Sequence, residues 1–290
     1  MLDWLAVATT EAIRWEDLGM RRSLFAIGGF ELRWYSLAYL AGIVLAYWHL
    51  SRMAKGPGSP LAQRHADDLF FYCTLGVILG GRLGFAAFYK PELFTSLELF
   101  KLWEGGMSFH GGVLGVVAAI GWVAWRGKLN FIRVSDYIAV NVGFGMLFGR
   151  LANFVNGELW GRPSDASWAM IFPTDPLGLP RHPSQLYEAV LEGALIVAVM
   201  LPLFWKTCAR YRPGLLVGAF TALIAAARFV VEFFREPDFE LKHRVIETGL
   251  SQGQWLSLPL ILVGLGLVAW SLMRPELGST SKPGPNPSGA

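Results

Sequence analysis

Long apolar segments separated by short polar loops dominate this chain. Seven of them are long enough, or nearly so, to cross a hydrocarbon core of about 30 Å. The fourth is expected to be short, because a polar cluster at Gly149–Gly161 interrupts it. The predicted spans lie near Trp34–Leu50, Asp68–Phe88, Met107–Trp125, Ser135–Leu151, Gln185–Trp205, Gly214–Phe234 and Trp255–Leu272.

This pattern predicts an all-α fold, a polytopic membrane protein of about seven transmembrane helices. We expect one integral-membrane domain over residues 1–273, with a small periplasmic head near 153–184 and a surface arm near 89–106. Residues 274–290 are rich in Gly, Ser and Pro, which indicates a disordered cytoplasmic tail. Four-residue glycine spacings favour close helix packing; they occur at Gly76, Gly80 and Gly84, at Gly111 and Gly115, at Gly145 and Gly149, and at Gly214 and Gly218.

Composition supports a membrane location. The chain has 290 residues, of which 53% are hydrophobic and only 16% charged, and 12 are Trp. Soluble domains carry about 25% charged residues, and Trp is enriched at membrane interfaces. The net charge is +3, with no basic stripe interleaved with aromatic residues, so nucleic acid is a poor candidate partner.

Basic residues predict the orientation. The loops at 51–66, 126–134 and 206–213 contain Lys and Arg but no Asp or Glu. The positive-inside rule then places these loops and the C-terminus in the cytoplasm, and the N-terminus on the periplasmic side. Acidic residues within the first 25 positions argue against a cleavable signal peptide.

The cluster at Gly149–Gly161 is the strongest functional signal. On a helix, Arg150, Asn153 and Gly157 share one face, which Asn156 and Glu158 flank. A central Arg in a transmembrane helix costs roughly 2.5–3.5 kcal/mol on insertion scales. An interfacial helix end would explain one snorkelling Arg, but it explains two Asn, a Glu and three Gly less well.

The sixth span carries a second polar group. Arg228, Glu232 and Arg235 are spaced i, i+4 and i+7. An internal Arg228–Glu232 pair would neutralise itself and still leave donors on the guanidinium. His110 begins the third span. A free histidine side chain has a pKa of about 6.5, which suits this residue type to general-base catalysis; a structural, hydrogen-bonded histidine is the alternative.

Lesser candidates lie in other spans. Arg82 either binds substrate or pairs with a carboxylate such as Glu188, with Glu192 one turn later as a second partner. Tyr35 is either an interface anchor or a functional hydroxyl.

Several chemistries have no motif here. Serine-nucleophile, metal, P-loop and dinucleotide motifs are missing from the sequence, so neither a metal nor an organic cofactor is expected. Cys73 and Cys208 do not resemble a disulfide pair. An arginine-rich, carboxylate-poor pocket at membrane depth suits an anionic lipid headgroup.

These residues resemble the prolipoprotein diacylglyceryl transferase family. The run Gly149-Arg-x-x-Asn-Phe-x-Asn-x-Glu-x-x-Gly161 matches the family signature at every defined position. His110 in Ser-Phe-His-Gly-Gly, the segment Arg181–Glu188, and Arg228-Phe-x-x-Glu-Phe-Phe-Arg235 resemble the other family blocks, in the same order. The resemblance covers roughly residues 28–272.

The resemblance implies a bacterial inner-membrane enzyme. It would move the diacylglyceryl group of phosphatidylglycerol to the lipobox cysteine of a prolipoprotein and release glycerol phosphate. Separately from the resemblance, we expect a monomer that works among membrane lipids. Some family members have a tyrosine one turn before the sixth-span arginine, where this chain has Ile224. Residues carried over as functional are His110, Arg150, Asn153, Asn156, Glu158, Gly161, Arg228, Glu232 and Tyr35.

We predict that His110 assists thiol deprotonation while Arg150 and Arg228 hold the phosphate. Alternatively, His110 orients Glu158 or a lipid hydroxyl. Two rival classes are a lipid or anion transporter and an intramembrane protease. The first predicts pseudo-symmetric halves that this sequence lacks, and the second a nucleophile motif that it lacks.

Overall fold

A computed structural model describes residues 12–28, 30–102, 105–236 and 248–277. Residues 103 and 104 of the predicted arm and residues 278–290 of the predicted tail lie outside this range. The sequence predicts one domain over 1–273, and the described residues cluster into two compact units. The first comprises the residues up to Ala46 and those from Ala139 onward, and the second comprises Tyr47–Ile138.

The described residues are mostly helical. A helix covers most of each of the seven predicted segments. The helix over the fifth predicted segment contains a π-helical stretch at Ala189–Ala194, where the backbone turn is wider. The helices are α1 Trp34–Ala54, α2 Gln63–Tyr89, α3 Phe109–Arg126, α4 Phe131–Asn156, α5 Ser184–Lys206, α6 Leu215–Val231 and α7 Gln252–Leu272.

Within the described part of the chain, five helices are long and apolar enough to cross a membrane. They are α2, α3, α4, α5 and α7. Helix α6 is apolar but has only 17 residues. Helix α1 has 21 residues, and its last turns carry His49 and Arg52. The protein is therefore a mostly helical chain with at least five candidate membrane spans.

The prediction of a short fourth span is wrong. Helix α4 has 26 residues and continues through the polar cluster to Asn156. The polar side chains near its end have partners on neighbouring segments, so they extend the helix instead of ending it.

In the second unit, helices α2 and α3 pack through glycines. A Cβ atom on Gly84 would lie 2.6 Å from Gly111 Cα, so no larger residue fits without a shift of the backbone. Gly76, Gly80 and Gly115 make similarly close approaches. The predicted packing role of this group is confirmed, since small residues let helix backbones approach closely.

In the first unit, two of the predicted packing glycines behave differently from each other. Gly214 precedes α6 as its N-cap with a φ of +91°, so it serves a turn. Gly218 packs directly against the backbone of α7 near Gly264.

Short strands, which the all-α prediction omits, lie in the first unit. Strand β1 Ile13–Arg14 pairs in parallel with β4 Met170–Ile171, which pairs antiparallel with β5 Pro180–Arg181. Strands β2 Ser23–Ile27 and β3 Phe30–Arg33 form an antiparallel hairpin that runs directly into α1.

A small apolar cluster supports the three-stranded sheet. Trp15, Phe154, Met170 and Phe172 are buried together. The Trp15 indole nitrogen donates a hydrogen bond of 2.9 Å to the Phe154 carbonyl oxygen. The N-terminal segment therefore fastens the strands to the end of α4, where the polar cluster lies.

Candidate functional site

The end of α4 folds Glu158 back over its own helix. Gly157 has a φ of +67°, the left-handed conformation that ends many helices. Its N–H donates to the Phe154 carbonyl, and the Glu158 N–H donates to the Asn153 carbonyl, which together form a Schellman motif. The motif reverses the chain direction just after Asn156.

This reversal holds the Glu158 carboxylate in place. Its Oε1 atom accepts hydrogen bonds from the side-chain amides of Asn153, at 2.9 Å, and Asn156, at 3.3 Å. Both amide groups therefore orient Glu158 in this structure. The sequence predicts all three residues as functional, and the structure brings them together.

Two buried glutamates on α5 bridge the two arginines that the sequence singles out. Glu188 places Oε2 3.1 Å from Arg150 Nη1 and Oε1 3.2 Å from Arg228 Nη1. Glu192 places Oε2 3.2 Å from Arg150 Nη2 and Oε1 3.5 Å from Arg228 Nη1. Each carboxylate thus gives one oxygen to α4 and the other to α6.

The π-helical stretch and one glycine allow this arrangement. Glu192 lies inside the π segment, which changes the direction of its side chain relative to Glu188. A Cβ on Gly193 would lie 2.6 Å from Leu147 Cα, so α4 and α5 approach closely just before Arg150. A larger residue at Gly193 would separate Arg150 from its two glutamates.

Glu232 completes the ionic cluster. Its Oε1 lies 2.6 Å from Arg228 Nη2 and 3.8 Å from Arg235 Nη1, and its Oε2 accepts a 2.7 Å hydrogen bond from Ser251 Oγ. The Arg228–Glu232 pair predicted from spacing is therefore confirmed. As expected, this pair leaves further donors on the Arg228 guanidinium, and its Nη1 atom pairs with Glu188 and Glu192.

The site is charge-balanced, which corrects the prediction of a carboxylate-poor pocket. The arginines Arg150, Arg228 and Arg235 are accompanied by the carboxylates of Glu188, Glu192 and Glu232. The sequence predicts Glu188 and Glu192 only as structural partners of Arg82. The signal that could have found their true partners is a Glu-x-x-x-Glu spacing inside an apolar span, because buried charges are usually paired.

The arginine side chains retain some access to solvent or ligand. Their exposed fractions are 18% for Arg150 and 25% for Arg228, whereas Glu188 and Glu192 are each at 1%. The carboxylates are thus the buried part of the cluster, and the guanidinium groups are its accessible part. Such guanidinium groups can bind a phosphate oxygen while ion pairs with the buried carboxylates fix their orientation.

Gly161 and Arg162 connect the loop after α4 to the end of α6. The Gly161 N–H donates to the His182 carbonyl, and the Arg162 N–H to the Phe234 carbonyl. A Cβ on Gly161 would lie 2.9 Å from His182 Cβ, so the close approach requires glycine. Arg162 Nε donates a 2.9 Å bond to the Arg235 carbonyl. We therefore assign Gly161 to positioning the backbone.

A buried ion pair stabilises the same loop. Arg181 Nε lies 2.6 Å from Asp175 Oδ2, and the guanidinium stacks 3.8 Å from the Trp160 ring centre. Burial opposes ionisation of Asp175, but hydrogen bonds from Arg181 and from the Leu177 and Leu179 amides outweigh it and lower its pKa. Burial also lowers the pKa of His182, which is therefore neutral at pH 7.

Tyr35 lies in the first turn of α1. Its hydroxyl donates a 3.2 Å hydrogen bond to the Tyr39 hydroxyl, and the charges of Arg150 and Glu158 act on it electrostatically. The side chain is partly buried. The placement is consistent with a polar role for the hydroxyl, in addition to that of an interface anchor.

His110 and Arg82 belong to the second unit. His110 is exposed at the start of α3, and its ring makes an edge contact with the ring of Phe109, which is also exposed. Arg82 is 5% exposed and donates to the carbonyl oxygens of Glu98, Leu99, Gly105 and Gly106. This set of backbone acceptors assigns Arg82 to holding Glu98 and Leu99 together with Gly105 and Gly106, in place of the predicted carboxylate pair.

Comparison with known proteins identifies the family of this chain. The family model described as prolipoprotein diacylglyceryl transferase matches residues 22–270. The chain belongs to the prolipoprotein diacylglyceryl transferase family. Every residue of the ionic cluster, together with Asn153, Asn156 and Glu158, lies within the matched range. The family resemblance inferred from the motifs is therefore confirmed.

Individual relatives are similar in sequence to this chain over most of its length. A phosphatidylglycerol–prolipoprotein diacylglyceryl transferase from Erythrobacter litoralis is 65% identical over 279 residues, covering 96% of this chain and 99% of its own length. The proteins of the same name from Zymomonas mobilis and Ruegeria pomeroyi are 46% and 48% identical, covering 90% and 87% of this chain and 94% and 92% of their own lengths.

Proposed function

We propose that this protein transfers the diacylglyceryl group of phosphatidylglycerol to the lipobox cysteine of prolipoproteins, the first step of lipoprotein modification. Family membership supports this reaction. The observation that carries it is the ionic cluster, in which Arg150 and Arg228 are partly accessible above two buried glutamates. The reaction releases a phosphate ester, so it needs cationic donors where negative charge develops.

The bonds and the proton of the proposed transfer are accounted for without a cofactor. The cysteine sulfur forms a C–S bond to the terminal glyceryl carbon as the C–O bond to phosphate breaks. Glycerol phosphate leaves with the bonding electron pair, and the thiol proton passes to a base. Donors from Arg150 and Arg228 stabilise the phosphate oxygens as their charge grows, which is most effective in a site with little water.

His110 is our candidate for the base. A free thiol has a pKa of about 8.5, so a base raises the fraction of thiolate at neutral pH. The exposed position of His110 at the start of α3 leaves its ring accessible to a peptide. The alternative is that His110 orients Glu158 or a lipid hydroxyl. Near-normal turnover in H110N or H110Q would show that His110 is not the base.

We further propose seven membrane spans, with α1 and α6 completing the five strongest. The loop between α4 and α5 forms a periplasmic head, the N-terminus is periplasmic, and the C-terminus is cytoplasmic. The basic loops at 51–66, 126–134 and 206–213 support this orientation. The bacterial inner membrane is the proposed location, and a monomer is the proposed working form.

One assay tests the proposed reaction against its rivals. Purified protein is mixed with phosphatidylglycerol and a lipobox peptide, and the mass of the peptide is measured. A diacylglyceryl adduct is expected. A cleaved peptide would indicate a protease, and an unchanged peptide would reject the transferase and favour a transporter. R150A and R228A should lose turnover by about a hundredfold or more while remaining folded, since removing one charge-stabilising donor costs about 10²–10³ in rate.

A further inference from the structure

A polar cavity in the first unit is lined in part by Asn156 and Glu158, at the end of α4. Its volume is about 260 Å³, and all of its lining residues are polar or charged. This size is below the roughly 300–1,000 Å³ of pockets that enclose drug-sized ligands, so a small polar molecule suits it. The lining residues are Arg22, Glu31, Arg33, Asn156, Glu158 and Thr174.

The β2–β3 hairpin and the residue before it supply one wall of this cavity. Arg33 donates from Nε and Nη2 to Glu31 Oε2, at 3.1 and 3.0 Å, so this pair is self-neutralised. No hydrogen bond or ion pair to the Arg22 guanidinium is found among the residues that the structure describes. Arg22 is thus the cation that this wall offers to a ligand.

The opposite wall offers hydrogen-bond acceptors. Glu158 Oε1 is held by Asn153 and Asn156, and within the described chain Oε2 has no hydrogen-bond donor. Thr174 Oγ1 donates to the Gly157 carbonyl and accepts from the Trp160 indole, so this wall is internally fixed. A cation on one side and a carboxylate oxygen on the other complement a molecule that has both an anionic group and hydroxyl groups.

We propose that this cavity holds the glycerol phosphate product after it has left Arg150 and Arg228, with Arg22 contacting the phosphate and Glu158 Oε2 accepting from a glycerol hydroxyl. This inference rests on the proposed function, which makes glycerol phosphate the polar product. Four of the six lining residues are charged, which favours a small polar ligand over an acyl chain, because a lipid tail would remove water from those charges without replacing its hydrogen bonds. Under this proposal, the hairpin contributes to product binding.

Direct binding of glycerol phosphate tests the proposal. The full-length protein in detergent is titrated with glycerol phosphate, and binding is followed by saturation-transfer NMR. R22Q should raise the dissociation constant about three- to tenfold, since one charge-assisted contact on an exposed arginine is lost. R22K should recover part of the affinity, because the charge remains without the planar donor group.

Arg21 provides a matched control. It is the exposed neighbour of Arg22 and does not line the cavity, so R21Q removes the same charge without touching the site. R21Q should leave the dissociation constant unchanged. Equal weakening by R21Q and R22Q, or no change in R22Q, would overturn the proposal, because the effect would then not depend on the cavity.

Product inhibition extends the test to turnover. Glycerol phosphate should inhibit diacylglyceryl transfer, and R22Q should raise its inhibition constant by the same factor as its dissociation constant; glycerol alone should inhibit more weakly. An enzyme that transfers normally but does not bind glycerol phosphate would refute the cavity assignment. A protein that binds it, with the R22Q effect, but transfers nothing would instead count against the proposed function.

Discussion

At the residue scale, the buried glutamates determine what the arginines can do. Arg150 and Arg228 come from different helices, and among the residues that the structure describes only Glu188 and Glu192 contact both. A guanidinium group with fixed partners reorganises little when a phosphate arrives. Preorganised donors of this kind stabilise developing charge more effectively than mobile ones. Glu188 and Glu192 are therefore positioning residues for the two arginines.

Replacing Glu192 with Gln tests this role. The change preserves shape but removes one ion pair from each arginine. We expect the free energy of unfolding to fall by about 1–3 kcal/mol, below the usual 3–5 for a broken buried pair because Glu188 remains. Turnover should fall at least tenfold, which a lipobox-peptide assay would measure. E192D should recover part of that loss, because the carboxylate is restored.

A surface ion pair provides the control. Glu276 pairs with Arg212, and its side chain is 34% exposed. E276Q should therefore change the free energy of unfolding by less than about 1 kcal/mol and leave turnover intact. If E192Q behaved like E276Q in thermal unfolding and in turnover, Glu192 would have no positioning role.

Asp175 gives a pH-dependent prediction at the same scale. Its folded pKa is lowered, so its carboxylate stabilises the fold above the unfolded pKa of about 3.9 and loses that effect as pH falls through the folded value. D175N should lower the Tm at pH 7. The difference in Tm between D175N and the parent protein should shrink as the pH falls below about 4. Asp165 is exposed in the same loop, so D165N should lower the Tm little at either pH.

At the element scale, periodicity predicted the positions of the helices but not the end of α4. Polar residues usually end an apolar span, and here they continue it because Arg150 finds partners on α5. The π-helical stretch that provides one of those partners has no clear sequence signal. Strands of two residues, such as β1, are also too short to show an alternating pattern. Contacts between distant segments determine these features.

The Schellman motif at Gly157 can be tested with two alanine substitutions. In G157A the residue must keep a φ of +67°, and its Cβ would meet Pro173 at 3.2 Å. Gly178 has a φ of +58°, but a Cβ there would have no neighbour within 4 Å. Both variants should lose about 1–2 kcal/mol of stability from the left-handed backbone.

Only G157A should also lose turnover, by about tenfold, because it displaces Glu158 from Asn153 and Asn156. Thermal unfolding and the peptide assay would separate the two effects. Equal turnover in G157A and G178A would show that the exact placement of Glu158 does not matter for transfer.

At the scale of the whole molecule, the sequence predicted the class of protein and most residues of the ionic cluster. The composition and motifs were sufficient for this, because a membrane protein must be apolar where lipid surrounds it and few polar residues remain. Spacing predicted the Arg228–Glu232 pair but not the pairing of Arg150 and Arg228 with Glu188 and Glu192. Those two carboxylates lie on α5, so only the folded chain brings them to both arginines.

Orientation in the membrane is the remaining prediction at this scale, and the native cysteines allow a direct test. Cys208 is exposed in the basic loop after α5, which the positive-inside rule places in the cytoplasm. In a C73S background, a membrane-impermeant maleimide added to spheroplasts should not label Cys208 until the membrane is permeabilised. In a C73S, C208S background, D165C lies in the proposed periplasmic head and should be labelled at once. The reverse pattern would invert the topology and place the arginine cluster at the cytoplasmic face, away from secreted prolipoproteins.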